Sequence, residues 1–426
     1  MDFSLSTPPK ERISIVILLV FSVTLGAYHI DIGFSLLPYM MVCALMFLYG
    51  FFNFKIPKLR PFEIALMVFF LYYCSTGLFA KFPESSLRLI LGVWLVFFCY
   101  FVMRHILFRT SIEGIEKAIG RTGIIFNLLS LLLYFLGLAM LSFNFSGNGI
   151  RHLGVLIDRG FPRLIGTFYD PNFFCFGNLL FFFYYLTHLH KKSSKFGLLL
   201  TSMTLLLTNS RGGGIALAAG LIVVFFSMKP SQKIKMLLFI PLFAFFINLL
   251  CKFIFSIDLY TLMIERFETS DNGSGRFDIW MHGLTLFQDH PFFGIGIFNY
   301  RSYNLHLYGD SHFMHNTFLE VLTESGVIGF LLYILVFISI FLEYFSIRKY
   351  GTKARYLLMA FFSMVILMNS LSVIVNESMF LIFALLQRYL FEADRTILQI
   401  KQKNISKHQL TQQYCHKNNF ELESYY

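Results

Sequence analysis

The sequence predicts an all-α polytopic membrane protein with about twelve transmembrane helices and one large outer loop that carries short amphipathic helices. Two observations lead to this class. Of the 426 residues 56% are hydrophobic, only 14% are charged and 55 are Phe, which is more apolar than a soluble domain requires. Long runs without charge also recur from the beginning of the chain to its end, as expected of repeated membrane crossings.

The apolar runs give the elements in order. Lys10 and Arg12 precede the first run, but no small-residue cleavage site follows, so we expect this span to be retained. The pair at 196–228 is short for two crossings and is a candidate for a partly re-entrant segment. The predicted spans are residues 13–29, 33–52, 64–80, 87–102, 122–145, 172–187, 196–209, 212–228, 236–256, 326–347, 356–375 and 378–393.

Lysine and arginine concentrate in every second connection between these spans. The positive-inside rule therefore places the basic connections and both termini in the cytoplasm. The formal net charge of +11 is spread over these short loops, so it does not indicate nucleic-acid binding. The predicted organisation is spans 1–9 in residues 1–256 with an outer loop at 146–171, a large outer loop at 257–317, spans 10–12 in 318–393, and a basic cytoplasmic tail at 394–426.

The sequence offers no metal site and no cofactor site. Its six cysteines lie in or beside spans, or in the tail, which indicates neither a disulfide framework nor zinc-ligand spacing. The large outer loop holds five of the twelve histidines, but their spacings fit no compact metal site. No phosphate-binding loop for a nucleotide is present either.

The cations of the two outer loops are all arginine. Outer loops normally avoid positive charge, and guanidinium groups bind phosphate through paired hydrogen bonds. The alternative is that each arginine pairs with a nearby acid or a lipid head group. These residues are Arg151, Arg159 and Arg163 in the first loop, and Arg266, Arg276 and Arg301 in the second.

Arg211 is placed differently, inside an apolar stretch. It is followed by Gly212, Gly213 and Gly214, which predict a tight reversal near the outer face. A charge at membrane depth is costly, so it is a functional-site hypothesis by default. The alternative is an arginine whose side chain reaches up to the interface beside a hairpin tip.

A third feature is the start of the helix that leaves the large loop. Thr317 and Glu320 have the spacing of a capping box, which predicts a helix from Thr317. His315 and Asn316 then precede the helix N-terminus, where an anion is favoured. Gly326 would share a face with His315 and let another backbone approach. The alternative is an ordinary histidine at the solvent edge of a membrane helix.

The same loop predicts a second helix. Residues 275–288, with Arg276 and Trp280 four residues apart, read as a short amphipathic helix along the membrane surface. Asp289-His290-Pro291 ends that helix, and Gly294-Ile295-Gly296 predicts a tight turn after it.

Taken in order, these motifs resemble the O-antigen ligase and polymerase superfamily of bacterial membrane glycosyltransferases. They cover roughly residues 160–335, whereas the N-terminal third matches only as a series of spans. The matching pieces are Arg163-x-x-Gly166-Thr-Phe-x-x-Pro171-Asn172, Ser210-Arg211-Gly212, Arg276-x-x-x-Trp280, His290-Pro291-x-x-Gly294-x-Gly296-x-x-Asn299-Tyr300, and His315-Asn316-x-x-Leu319 running on to Gly326.

The resemblance implies an inner-membrane protein whose active site faces the periplasm. It implies transfer of a glycan from undecaprenyl diphosphate to an acceptor hydroxyl, without nucleotide sugar and without metal. The expected partners are that lipid-linked glycan, membrane lipid, and a chain-length regulator or another glycan-assembly protein, with no nucleic acid.

The residues suggest roles in such a reaction. Arg211 and Arg276 are candidates to hold the diphosphate, where negative charge develops. His315 is the candidate base, with inversion at the anomeric carbon if attack is direct. Asp310, Glu320 and Glu324 are alternative bases. The candidate substrate-binding residues are Arg163, Arg301, Asn316, His312 and Glu320.

Within the superfamily the acceptor is open. A polymerase, which we favour, joins one lipid-linked repeat to another, whereas a ligase moves the finished chain onto lipid A–core, and no residue separates the two. Outside the superfamily, a transporter or flippase for a lipid-linked sugar also suits about twelve spans with an interrupted pair. Against a transporter, the polar groups gather in one outer loop rather than near the bilayer midplane.

Overall fold

A computed structural model describes residues 13–31, 35–50, 54, 56–227, 275–348 and 354–423, together with isolated residues between 233 and 264. The structure is 75% helical with few strands. The helices are α1 (Ile13–Val23), α2 (Pro38–Gly50), α3 (Pro61–Ser75), α4 (Pro83–Phe108), α5 (Ile112–Met140), α6 (Pro171–Thr187), α7 (Lys192–Leu207), α8 (Arg211–Ser227), α9 (Arg276–Asp289), α10 (Tyr300–Tyr308), α11 (Thr317–Arg348), α12 (Arg355–Leu367) and α13 (Glu377–Glu423). Two 3-10 turns, Thr76–Phe79 and Met368–Ser370, extend α3 and α12.

A helical membrane fold is supported, but the number of spans stays a prediction. Every predicted span except 236–256, which lies outside the continuously described ranges, coincides with a helix. In the described residues, four helices are long and apolar enough to cross a membrane. They are Pro61–Phe79, Pro83–Phe108, Ile112–Met140 and Thr317–Ser346, while Ile13–Val23, Pro38–Gly50, Arg211–Phe226 and Arg355–Ser370 are shorter apolar helices.

Some predicted spans are longer than the helices they contain, and two of them end at a polar contact with another segment. α1 ends at Val23, six residues before the predicted end, because the backbone turns away and Ala27 N donates to Thr167 O at 2.8 Å. α12 and its 3-10 turn end at Ser370 rather than at residue 375. Beyond it, Leu371 O accepts a hydrogen bond from the Thr317 hydroxyl at 2.6 Å. In both places a polar contact with another segment replaces helix continuation.

The hairpin of α7 and α8 corrects the interpretation of its glycines. The chain reverses at Thr208–Ser210, where Asn209 takes a left-handed conformation with φ 47°. Gly212 and Gly213 instead lie in the first turn of α8. A Cβ at Gly213 would lie 2.6 Å from the Cys175 sulfur, so the glycine permits close packing of α8 on α6.

The first outer loop contains a small sheet, which an all-α prediction missed. β3 (Ile150–His152), β4 (Val155–Asp158) and β5 (Phe161–Leu164) form a three-stranded antiparallel meander. A second pair, β1 (Ile30–Asp31) and β2 (Ser35–Leu36), lies between α1 and α2. Val155 and Ile157 point into the main core at 0% and 1% exposure, which anchors the meander on the bundle.

Packing places the predicted outer segments together at one end of the bundle, which we call the outer end. α11 packs on α3, α12 on α6 and α8, α1 on α5, and α9 on α11. A separate small core beneath α9 and α10 is formed by Ile279, Leu286, Ile295, Tyr300 and Met314. The opposite end, called the inner end, joins the predicted cytoplasmic connections, since Arg60 pairs with Glu343 and Arg388 bonds to Leu107 O.

Candidate functional site

A break in α11 organises the outer end. At Gly326 the backbone is non-helical, with φ 65° and ψ −171°. The break exposes the carbonyls of Thr323 and Glu324, which accept hydrogen bonds from Ile295 N at 3.1 Å and Gly296 N at 2.9 Å. The predicted continuous face from His315 to Gly326 is therefore wrong, because the helix is interrupted at the glycine.

The break is also where two backbones meet without side chains between them. A Cβ at Gly326 would lie 2.2 Å from Phe292 O, and one at Gly294 would lie 2.3 Å from Glu324 C. Val327 N completes the interlock by donating to Pro291 O at 2.9 Å. The prediction that Gly326 lets another backbone approach is confirmed, and the approaching segment is the turn that follows α9.

Glu324 fastens the same turn from inside. Its carboxylate accepts hydrogen bonds from Phe298 N at 2.8 Å and Tyr300 N at 3.0 Å, and from the Tyr73 hydroxyl. The side chain is 1% exposed. With both oxygens engaged in this way, Glu324 is better suited to positioning α10 than to accepting a substrate proton.

His315 lies directly before α11, as predicted, in a left-handed conformation with φ 51°. Its backbone N donates to Ser372 Oγ at 3.1 Å. The predicted capping box is wrong, because the cap is Asn316, whose Oδ1 accepts from Leu319 N at 3.1 Å. The Thr317 hydroxyl turns instead to Leu371 O, and Glu320 is buried at 4% exposure.

Five residues at the outer end are linked by electrostatic interactions, and we call them the cationic cluster. They are Arg163, Asp170, Arg211, Arg276 and His315. Burial lowers the pKa of His315, the charge of Arg276 lowers it further, and Asp170 opposes both. Burial likewise lowers the pKa of Arg276, where Asp170 opposes the effect of Arg211 and Arg163. The fold thus joins residues from both outer loops, the α7–α8 hairpin and the start of α11.

Arg163 supports this cluster through contacts of its own. It is 8% exposed, its Nη1 lies 2.9 Å from Asp158 Oδ2, and its Nε donates to Thr208 O at 3.0 Å. Thr208 begins the turn that delivers Arg211. This geometry favours a positioning role for Arg163 over the direct substrate contact predicted from the sequence.

The remaining candidate residues lie to one side of the cluster. Arg301 is exposed, donates to Ser311 O at 2.8 Å and covers the ring of Phe313 at 4.8 Å. His312 is exposed and pairs with Asp310. Burial raises the pKa of Asp310, but hydrogen bonds from His312 outweigh that effect and lower it. His312 and Asp310 act on His315 less strongly than Arg276 and Asp170 do.

Two residues of the site were missed from the sequence. Asp170 carried a usable signal, because an acid followed by proline marks a helix N-terminus, and it caps α6 by accepting from Asn172 N at 2.7 Å. Ser372 carried none, since it lies inside a run that reads as a membrane span. Among the residues that the structure describes, no group of three or more His, Cys, Asp or Glu could hold a metal ion.

Fold and site together define a helical membrane protein with a cluster of arginines at one end of its bundle. Residues 196–334 match the family described as O-Antigen ligase. This match to part of the chain supports the resemblance to the O-antigen ligase/polymerase superfamily that the motifs indicate. The matched region includes Arg211, Arg276 and His315, whereas Arg163 and Asp170 precede it. No curated protein matches the chain.

Proposed function

We propose that the protein is a membrane glycosyltransferase that moves a glycan from undecaprenyl diphosphate to an acceptor hydroxyl at the periplasmic face, with a polysaccharide polymerase as the first candidate. The observation that carries the proposal is the cationic cluster. It joins Arg211 and Arg276, which suit a diphosphate, to a histidine whose pKa is lowered by burial and by the charge of Arg276.

The proposed chemistry is a single displacement. The acceptor oxygen attacks the anomeric carbon, its proton passes to an imidazole nitrogen of His315, and the bond from that carbon to the diphosphate oxygen breaks. The leaving diphosphate gains negative charge, which Arg211 and Arg276 are placed to stabilise. A lowered pKa helps His315 because a general base must be unprotonated when the acceptor arrives.

A ligase is the second candidate, favoured by the description of the matched family. The two differ only in the acceptor. Purified protein given a lipid-linked repeat unit alone should lengthen it if it is a polymerase. A requirement for added lipid A–core would identify a ligase, and movement of the lipid across a vesicle without a new glycosidic bond would indicate a transporter.

The first prediction tests the base. His315→Ala should reduce glycan transfer by about 10²–10⁴-fold, the usual contribution of a general base. The amount of protein in the membrane should stay near that of the wild type. His312→Ala is the matched control, because it removes an exposed histidine three residues away, and it should cost far less. Near-normal transfer by His315→Ala, with Glu320→Gln or Asp310→Asn inactive, would move the base to a carboxylate.

The second prediction tests the orientation of the bundle. In a chain whose six cysteines are replaced, a cysteine at Leu305 should react with an impermeant reagent added to intact spheroplasts. Leu305 is suitable because it is 54% exposed on α10. A cysteine at Leu189, 41% exposed in the connection before α7, should react only after permeabilisation. The reverse pattern would put the cationic cluster in the cytoplasm and contradict the proposal.

A further inference from the structure

We propose that Tyr169, His29, Arg151 and Asp31 form a glycan-binding subsite at the outer end, and that it takes one pyranose unit of the lipid-linked glycan. We call these four residues the sugar platform. The proposal rests on the proposed function for the identity of its ligand, and it adds a binding site to the cationic cluster.

The platform is an exposed aromatic ring with polar groups at its rim. Tyr169 is 45% exposed, and its hydroxyl lies 3.1 Å from His29 Nδ1. The two rings meet at 62° with centroids 5.8 Å apart. The Arg151 guanidinium lies 5.9 Å from the Tyr169 ring centroid, and His29 Nε2 lies 3.4 Å from Asp31 Oδ2.

Hydrogen bonds hold together the two segments that carry the platform, one leading to His29 and the other leading to Tyr169. Ala27 N donates to Thr167 O at 2.8 Å, and the Thr167 hydroxyl donates to Thr24 O at 2.6 Å. Between them the Phe168 ring, 4% exposed, packs so closely on Gly26 that a Cβ there would lie 2.8 Å from it. The platform is therefore formed before any ligand binds, which reduces the entropy lost on binding.

The chemistry of this surface suits a sugar. A pyranose has one apolar face of C–H groups, which packs on an aromatic ring, and a rim of hydroxyls. Tyrosine combines a large apolar surface with a polar group at its edge. A guanidinium donates hydrogen bonds and a carboxylate accepts them, and a sugar hydroxyl can do both, so Arg151 and Asp31 can each bind hydroxyls at the rim. Asp31, whose side chain is 72% exposed, would repel a bare phosphate, which favours a sugar unit over a lipid head group here.

The position of the platform links it to the reaction. Tyr169 directly precedes Asp170, whose charge acts on both Arg276 and His315. A sugar stacked on Tyr169 is therefore held by the residue next to the cationic cluster, and we assign it to a neighbouring unit of the same glycan. The platform would hold that chain in register while the terminal sugar reacts, as positioning contacts do.

The test uses full-length protein in lipid nanodiscs and two measurements. The binding probe is the oligosaccharide repeat released by mild acid from the lipid carrier of the source strain, with the gene for this protein deleted. Saturation-transfer NMR follows its contact with aromatic protons. The transfer assay varies the lipid-linked donor and the soluble repeat as acceptor one at a time, so that a change in KM identifies which of them supplies the bound sugar.

Tyr169→Ala should raise one KM, and the Kd of the oligosaccharide, about tenfold, with kcat changed by less than about twofold, because the platform binds ground state and transition state alike. Tyr169→Phe keeps the ring and should stay near the wild type. Arg151→Ala should give a smaller rise. The matched control is Tyr308→Ala, which removes another exposed tyrosine, 41% exposed and stacked on His282, and should change neither quantity.

Unchanged Kd and KM in Tyr169→Ala would overturn the platform, and so would an equal loss in Tyr308→Ala. If Tyr169→Ala fails to reach the membrane, Arg151→Ala tests the platform instead. A wild-type KM in Arg151→Ala would show that this guanidinium does not bind the glycan, and would overturn the platform. Failure of the proposed function would give a different experimental result. The wild type would then bind the oligosaccharide, with Tyr169→Ala weaker, yet form no glycosidic bond.

Discussion

The two ends of the bundle use arginine in opposite ways. At the inner end three buried or half-buried arginines, Arg60, Arg104 and Arg388, each lie against a carboxylate. Arg60 Nη1 lies 3.0 Å from Glu343 and its Nη2 contacts Asp394. Arg104, fully buried, has its Nε 3.0 Å from Glu63, close enough for charge pairing although not aligned for a hydrogen bond. These pairs join helices and leave little net charge.

In the cationic cluster at the outer end, the described arginines outnumber the described acids beside them, with Arg163, Arg211 and Arg276 against Asp158 and Asp170. Arg163 has Asp158 as its partner, whereas Arg276 forms no ion pair or hydrogen bond with any residue in the described ranges, and Asp170 is the acid whose charge acts on it. Backbone contacts, rather than ion pairs, hold this end together through the interlock of Gly294 and Gly326. An excess of fixed positive charge is what an anionic ligand requires, because its stabilisation then needs little rearrangement.

The largest expected effect comes from replacing a guanidinium by an ammonium, which tests the difference between the arginines of the two ends. Arg276→Lys and Arg211→Lys should each lower glycan transfer about 100- to 1,000-fold, about 2.7–4 kcal/mol of transition-state stabilisation, because an ammonium cannot replace a fork of donors. Arg60→Lys makes the same change in an ion pair at the inner end and should leave transfer within about twofold of the wild type. Equal losses at both ends would mean that the arginines of the outer end are also structural.

The interlock gives the next largest effect. Gly326→Ala should destabilise the protein by about 1–3 kcal/mol, because φ 65° is unfavourable for alanine and its Cβ would overlap Phe292 O. The measurement is thermal unfolding of the purified protein in detergent. Gly92→Ala is the control, since nothing lies within 4 Å of a Cβ there and the glycine is inside α4. A Gly326→Ala variant as stable as the wild type would show that the interlock does not hold the outer end.

The smallest expected effect is a shift in the pH dependence of glycan transfer, which tests whether charge at the outer end acts on His315. Because burial and Arg276 lower the pKa of His315, the rate of transfer should persist below the ordinary histidine pKa of about 6.5 and then fall as His315 is protonated. Arg276→Gln removes a positive charge and should raise the pKa of His315, so the residual activity should begin to fall at a higher pH than in the wild type. Asp170→Asn removes the opposing charge and should lower that pKa, so the activity should fall only at a lower pH. Shifts in the same direction in both variants would contradict an electrostatic origin.

The class of the protein and the positions of most helices follow from the sequence, because hydrophobic runs and the alternation of basic loops are local properties. The same is true of the start of α11 and of the bounds of α9, where polar and glycine-rich flanks mark the helix ends. The arginines and His315 were found because their residue types are unusual where they occur. Their common location was not visible, since nothing local links positions 163, 211, 276 and 315.

Only the tertiary structure decided which distant segments contact one another. Thr317 and Glu320 have the spacing of a capping box, yet the Thr317 hydroxyl binds Leu371 O and Asn316 takes over the cap. Gly326 reads as part of a continuous helix, but the turn after α9 inserts its backbone N–H groups at that point and breaks it. In each case a hydrogen bond from another segment replaces the local one. Such a competition between partners is settled by packing, which a single stretch of sequence does not record.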